Sequence, residues 1–225
     1  MMARNEKSRY DFNFKKSLKK TSQYPIISHI KVDRYINRPL ATLVVRALLN
    51  TPVTANQVTV AGFFIGMAAA FLYLGASHGY YIAAGILIQV SSVLDGADGM
   101  LARLRNTCSD YGSFLDLFLD RINDYFLFCG IIFGNYLATR NFKFLVFCLL
   151  CLALYFLQIN LYYLTKFFKK DYKSGQAAES RALVLFMVFI LSLANQLTLL
   201  LILLAMIPIG STLVKVINLI RYRRD

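Results

Sequence analysis

The stretch LDGADGMLARLRNTCSDYGSFLDLFLDRINDYF, from Leu94 to Phe126, carries six aspartates. Asp95 and Asp98 are three apart and share a face of any helix they lie on; Asp116 and Asp120 are four apart and do the same. Two antiparallel helices joined by a turn at about residues 104–112 would bring the pairs to one depth on facing walls. Four carboxylates gathered there repel one another and resist ionising together. A divalent cation, or two, removes that conflict, and hard oxygen ligands suit Mg2+ or Mn2+. Two ions bridged by shared carboxylates form a clamp for a phosphoryl group undergoing in-line displacement.

The neighbouring residue types agree with such a ligand. Gly96, Ala97, Gly99 and Ala102 leave one side of their helix nearly bare. Small residues allow close helix approach, and they equally make room for a flat group such as a nucleoside. Arg103 stands one turn beyond Gly99, where it could neutralise phosphate charge. Asp110 is expected to be a helix N-cap or a solvated turn residue. Asp124, four after Asp120, falls on the acid face and is expected to be paired, with Arg121 or with a residue of another helix.

The elements that must position these acids are set by an apolar composition. Of 225 residues, 57% are hydrophobic, and the mean hydropathy is +0.52. Charge at membrane depth costs about 2.5–3.5 kcal/mol per residue on insertion scales, so acids inside such a chain imply a partner. Residues 57–77, 79–103, 110–137 and 144–165 are each about long enough to cross a hydrocarbon core of roughly 30 Å. Residues 182–219 suffice for two helices, with a break near Ala194-Asn195-Gln196. The expected fold is an all-α integral membrane protein with six transmembrane helices.

A further amphipathic segment, residues 33–49, is too short and too charged to span. Ile36, Leu40, Leu43, Val44 and Leu48 can share one face, which predicts an interfacial helix on the cytoplasmic leaflet. Pro52 ends it, and Thr54 is placed to cap the first spanning helix. The expected organisation is a basic N-terminal segment over 1–32, the interfacial helix over 33–50 and one membrane catalytic domain over 51–225. Residues 1–39 contain no apolar h-region of a secretory signal.

The formal charge is +13, and eleven of the 25 Lys and Arg precede residue 50. Arg103, Arg105, the run from Lys166 to Arg181 and the C-terminal Lys215, Arg221, Arg223 and Arg224 fall on the same predicted side, against Arg140 and Lys143 opposite. The positive-inside rule then places both termini and the acids on the cytoplasmic side of the cell's inner (cytoplasmic) membrane. Membrane lipid is the expected surface partner; no nucleic-acid partner is expected. Cys129, Cys148 and Cys151 lie in apolar helix and Cys108 in a turn, so no disulfide framework is expected. His29 and His78 lie far from the acids, on opposite sides, and receive no catalytic role.

The spacing Asp95-x2-Asp98-Gly99-x2-Ala102-Arg103-x8-Gly112-x3-Asp116-x3-Asp120 resembles the signature of the CDP-alcohol phosphotransferase (phosphatidyltransferase) family without a mismatch. TPVTANQVT resembles that family's lead into its first helix, with Ala55 in place of the usual proline and Asn56 and Thr59 retained. The resemblance implies transfer of a substituted phosphate from a CDP-linked donor to an alcohol acceptor, with release of CMP, in phospholipid or polar headgroup synthesis. It implies a two-ion metal site on Asp95, Asp98 and Asp116, with Asp120 contributing to it and acting as general base. Gly99, Ala102 and Gly112 would shape the cytidine pocket, Arg103 would face the diphosphate, and Asn56 and Thr59 would touch the nucleotide. A homodimer is also implied.

The resemblance leaves the acceptor open. The residues around RYINRPLATLVVRALLNTPVTANQVT are most similar to members that make inositol-phosphate-type products, the di-inositol-phosphate branch included. Arg181 lies where members with phosphorylated acceptors carry a basic residue, and a guanidinium grips phosphate through paired hydrogen bonds. This points to Arg181 as an acceptor contact, with Lys166 and Lys173 in support. The segment KFFKKDYK could equally be a topological anchor. The competing class is a non-enzymatic membrane protein that binds or transports a cation through the same acids.

Overall fold

The computed structural model of the chain describes residues 33–169 and 175–206, with 209 and 210. Among them every regular element is helical. A π-helical turn, Asp33–Asn37, leads into α1, Arg38–Leu48. Then come α2, Ala55–Leu72, continued by a 3-10 turn over Tyr73–Gly75; α3, His78–Arg105; α4, Asp110–Thr139; α5, Phe142–Lys169; and α6, Gly175–Leu193. A seventh helix, α7, spans Leu197–Met206. Residues 1–32 and the C-terminal basic residues lie outside the described residues.

Local chemistry explains where these helices start and stop. The Thr54 side chain accepts from Gln57 N, and the Gln57 side chain accepts from Thr54 N, forming a reciprocal cap at the expected residue. At the start of α4 the cap is Ser109, whose hydroxyl accepts from Gly112 N at 3.0 Å. Asp110 is therefore not the cap but an exposed residue of the first turn. Four connections turn at one residue in the left-handed region: Ala76, Asn106, Arg140 and Asn195. Asn195 sits in the break expected near residues 194–196. Asparagine tolerates this conformation through its short polar side chain.

Two helices, Ala55–Gly75 and His78–Arg105, are long and apolar enough to cross a bilayer by length and composition. Phe142–Gln158, Arg181–Leu193 and Leu197–Met206 are apolar but shorter. The outer surface presents Phe64, Phe71, Phe118, Phe126, Leu150 and Leu157. So much exposed aromatic and aliphatic area marks a surface that an apolar medium covers.

Helix α2 packs between α3 and α4, α6 packs on α3, and α1 lies along α3. Small residues set the distances. A Cβ on Gly130 or Gly134 of α4 would run into the backbone carbonyls of Ala70 and Tyr73, so the two backbones touch there. The expected stripe of α1 is split by its neighbours. Ala41 and Val45 are buried against Val93, Ala97 and Leu101, with Val44 and Leu48 packed beside them. Leu40 and Leu43 are exposed, so they lie off the packed face. Helix α1 thus has one apolar side packed on α3 and another, with Leu40 and Leu43, that is exposed among the described residues. Gly96 and Ala97 serve this contact, since a Cβ on Gly96 would stand 3.6 Å from Ala41 Cβ. Ala97 is buried in this contact, while Gly96 stays exposed beside it.

Two polar links fix α1. Buried Asn37 donates to Ser92 Oγ at 3.2 Å and accepts from Gln89 Nε2 at 2.7 Å. The guanidinium of Arg105, the last residue of α3, donates to the carbonyls of Leu48 at 2.7 Å, Leu49 at 3.1 Å and Thr51 at 2.7 Å, and also to that of Val53. One cation satisfies the orphan carbonyls at the end of α1 and the turn that delivers Thr54 to its cap.

Candidate metal and nucleotide site

The two acid pairs meet as the helix period requires. One oxygen each from Asp95, Asp116 and Asp120 lie within 4.8 Å of one another. Asp98, one turn before Ala102 on α3, is 4% exposed. Its Oδ2 accepts from Thr59 Oγ1 of α2 at 2.5 Å, and its Oδ1 from Gly99 N. All four acids line one cleft of about 250 Å3, together with Thr59, Gly62, Phe63, Ser91, Leu119 and Asn123. Ser91 Oγ donates to the Gly62 carbonyl at 2.9 Å, which ties α3 to α2 at the cleft floor. Asn123 fills the notch at Gly66, where any Cβ would collide with its amide.

The donor set fits a hard divalent cation. Every ligating atom in the group is a carboxylate oxygen, and Asp116 Oδ1 is buried without a hydrogen-bond partner among the described residues. Buried carboxylate oxygens are rarely left so unless something else completes them.

A cation of the chain's own already borders the cluster. Arg181, in the second turn of α6, places Nη1 2.9 Å from Asp120 Oδ2 and 3.5 Å from Asp95 Oδ2. Its Nε donates to both oxygens of Asp124, at 3.0 and 3.2 Å. Asp124 Oδ2 also accepts from Arg121 Nη1 at 3.3 Å. Asp124 is therefore paired both within its helix and across to another. Arg181 is brought into the acid cluster itself, a contact that sequence spacing did not reveal.

The residues named for the nucleotide form two neighbouring pairs at the same end of the bundle. The Arg103 guanidinium folds back over Gly99, where a Cβ would meet its Nη1 at 3.2 Å. The Asn56 side chain lies over Gly112, where a Cβ would stand 3.1 Å from its Oδ1. Ala102 is half-buried on the acid-bearing helix. Thr59 lines the acid cleft and donates to Asp98 there. Cys148 and Cys151 are buried among apolar side chains. Lys173 lies outside the described residues, and of Lys166 only the helical backbone is described.

Comparison with known proteins shows the family and the fold. The family model for CDP-alcohol phosphatidyltransferase matches residues 52–214. A bifunctional IPC transferase and DIPP synthase of Thermococcus kodakarensis is 43% identical over 93 residues, 41% of this chain and 20% of that protein. An archaetidylinositol phosphate synthase of Pyrococcus horikoshii is 33% identical over 105 residues, 47% of this chain and 54% of that protein. The aligned segments thus span from a fifth to about half of these relatives. The crystal structure of Mycobacterium tuberculosis phosphatidylinositol phosphate synthase (PgsA1) with CDP-DAG bound aligns with a TM-score of 0.55 at 21% identity, covering 77% of this chain and 91% of that one. With most of its length, from Pro52 through all four acids, inside the match, the chain belongs to the CDP-alcohol phosphatidyltransferase family.

Proposed function

We propose that this chain is a metal-dependent membrane transferase that moves a lipid-linked phosphoryl group from a CDP-linked donor to a phosphorylated alcohol. The observation that carries this is the convergence of Asp95, Asp116 and Asp120, with Arg181 beside them. Asp95, Asp98, Asp116 and Asp120 hold two Mg2+ or Mn2+ ions, which when bound neutralise the donor diphosphate and polarise its phosphorus.

The chain's own residues do the rest. Thr59 orients Asp98. Gly99 and Gly112 keep the cytidine side open, with Asn56 and Ala102 beside them, and Arg103 faces the diphosphate. Asp120 accepts the proton of the acceptor hydroxyl. The acceptor oxygen bonds to the lipid-bearing phosphorus, the bond from that phosphorus to the bridging oxygen breaks, and CMP leaves with that oxygen. Arg181, next to Asp120, holds the acceptor's phosphate, which sets its hydroxyl toward the base. The names of the relatives favour an inositol phosphate as acceptor over a glycerol phosphate. The chain spans the membrane six times, with α1 in the cytoplasmic interface and both termini and the cleft on that side, and it works as a homodimer.

The test is CMP release by purified protein with Mg2+, CDP-diacylglycerol or its ether analogue, and inositol phosphate, glycerol phosphate or inositol. Release only with a phosphorylated acceptor is expected. Arg181→Ala should raise the acceptor KM far more than the donor KM, with partial recovery in Arg181→Lys. Metal binding without CMP release from any donor would instead favour a cation-binding or transport protein.

A further inference from the structure

Asp124 takes no part in the reaction as just described, yet it is as buried as Asp98, at 4% exposed. It lies one turn beyond Asp120 on the same face of α4. The guanidinium it binds has two working edges. Nε is held by both Asp124 oxygens, and Nη1 reaches Asp120 and Asp95. One arginine therefore bridges an acid outside the metal group and two acids inside it.

That bridge creates a competition. A cation ligated by Asp120 Oδ2 would sit at roughly 2.0–2.6 Å from it. The Arg181 nitrogen stands 2.9 Å from that same oxygen. Both positive groups seek one carboxylate, and the Arg181 side chain, 11% exposed, has little water to fall back on. A buried arginine needs carboxylate neighbours. If Asp124 lost its charge, the carboxylates paired with Arg181 among the described residues would be Asp120 and Asp95, the ones the ion requires.

We propose that Asp124 is a positioning residue. It anchors Arg181 by Nε, so that the guanidinium borders the carboxylate cluster without displacing the divalent cation. This rests on the metal-site reading above. A merely structural Asp124 would neutralise Arg121 and Arg181 for folding and leave metal affinity alone.

The measurement is Mn2+ binding to the purified full chain in detergent, followed by the electron paramagnetic resonance signal of free Mn2+, with no substrate present. Asp124→Asn should weaken binding about tenfold, the lower range for disturbing a ligand's support. Arg181→Gln should tighten it, because the competing cation is gone. Asp124→Asn combined with Arg181→Gln should bind as tightly as Arg181→Gln alone, because Asp124 acts only through the arginine. Unchanged affinity in Asp124→Asn, or a double variant no better than Asp124→Asn alone, overturns the proposal. If Asp124→Asn does not fold, Arg181→Gln decides, since unchanged or weaker Mn2+ binding there refutes the competition. Wild-type protein that binds no Mn2+ overturns the metal-site reading itself and this proposal with it.

Discussion

The acid-bearing end of the bundle and the end that carries Tyr73 are built from the same helices, α2, α3 and α4, yet their polar groups are balanced in opposite ways. At the Tyr73 end three polar contacts join neutral partners. Tyr73 Oη and Ser192 Oγ are 2.6 Å apart, Tyr81 Oη donates to the Gly134 carbonyl at 3.4 Å, and Asn135 donates to Thr198 Oγ1 at 2.8 Å. A space of about 460 Å3 between α4, α5, α6 and α7 is lined by Phe128, Ile132, Leu152, Leu201 and other side chains without charge. At the other end three carboxylates crowd together and, among the described residues, a buried oxygen of Asp116 has no hydrogen-bond partner and Arg121 and Arg181 stand beside the acids. A membrane bundle can close its own hydrogen bonds, as the three contacts at the Tyr73 end do. At the other end the described residues leave carboxylates crowded together, as the proposed site requires.

Neutralising one acid should exaggerate that contrast. Asp116→Asn should lower CMP release by more than about 100-fold, the upper range for disturbing only a ligand's support. The same change removes one repelling charge, so thermal stability in detergent should hold or rise. A wild-type rate would break the assignment of the acid end as the site.

An insult to the Tyr73 end should do the reverse. Gly134→Leu drives a side chain into the Tyr73 carbonyl, where α2 and α4 touch. Overpacking of this kind costs about 1–3 kcal/mol, seen as a lower melting temperature and poorer recovery of monodisperse protein. Mn2+ affinity of the folded fraction should stay at the wild-type value. A shift in metal affinity with no loss of stability would mean that the two ends are coupled.

The smallest effect is expected from Tyr73→Phe, which deletes one hydrogen bond to Ser192. The loss should be about 0.5–1.5 kcal/mol in stability, with unchanged turnover. A large change in turnover would remove the distinction between the two ends.

Much of the site was legible because helix geometry is local. Spacings of three and four fixed which acids share a face, and the short stretch from Asn106 to Ser109 left α3 and α4 little choice but to run antiparallel. The Thr54 cap and the break near Asn195 were readable for the same reason, since each depends on residues a few positions apart. The resemblance carried by the Asp, Gly and Ala spacing named the family that the match over residues 52–214 then bore out.

The tertiary structure decided the contacts between distant segments. Arg181 reaches Asp124 across 57 residues, and Thr59 reaches Asp98 across 39. Arg105 gathers the carbonyls of residues 48–53 from the far end of α3. Periodicity marks Arg181 only as a charge near a helix start, with no sign of which acids it meets. It likewise marks α1 as amphipathic without saying which side of its apolar surface Ala97 and Leu101 will cover. Local sequence fixes which residues share a helix face; which face meets which neighbour is settled only when buried charges must be compensated and backbones brought together at Gly130 and Gly134.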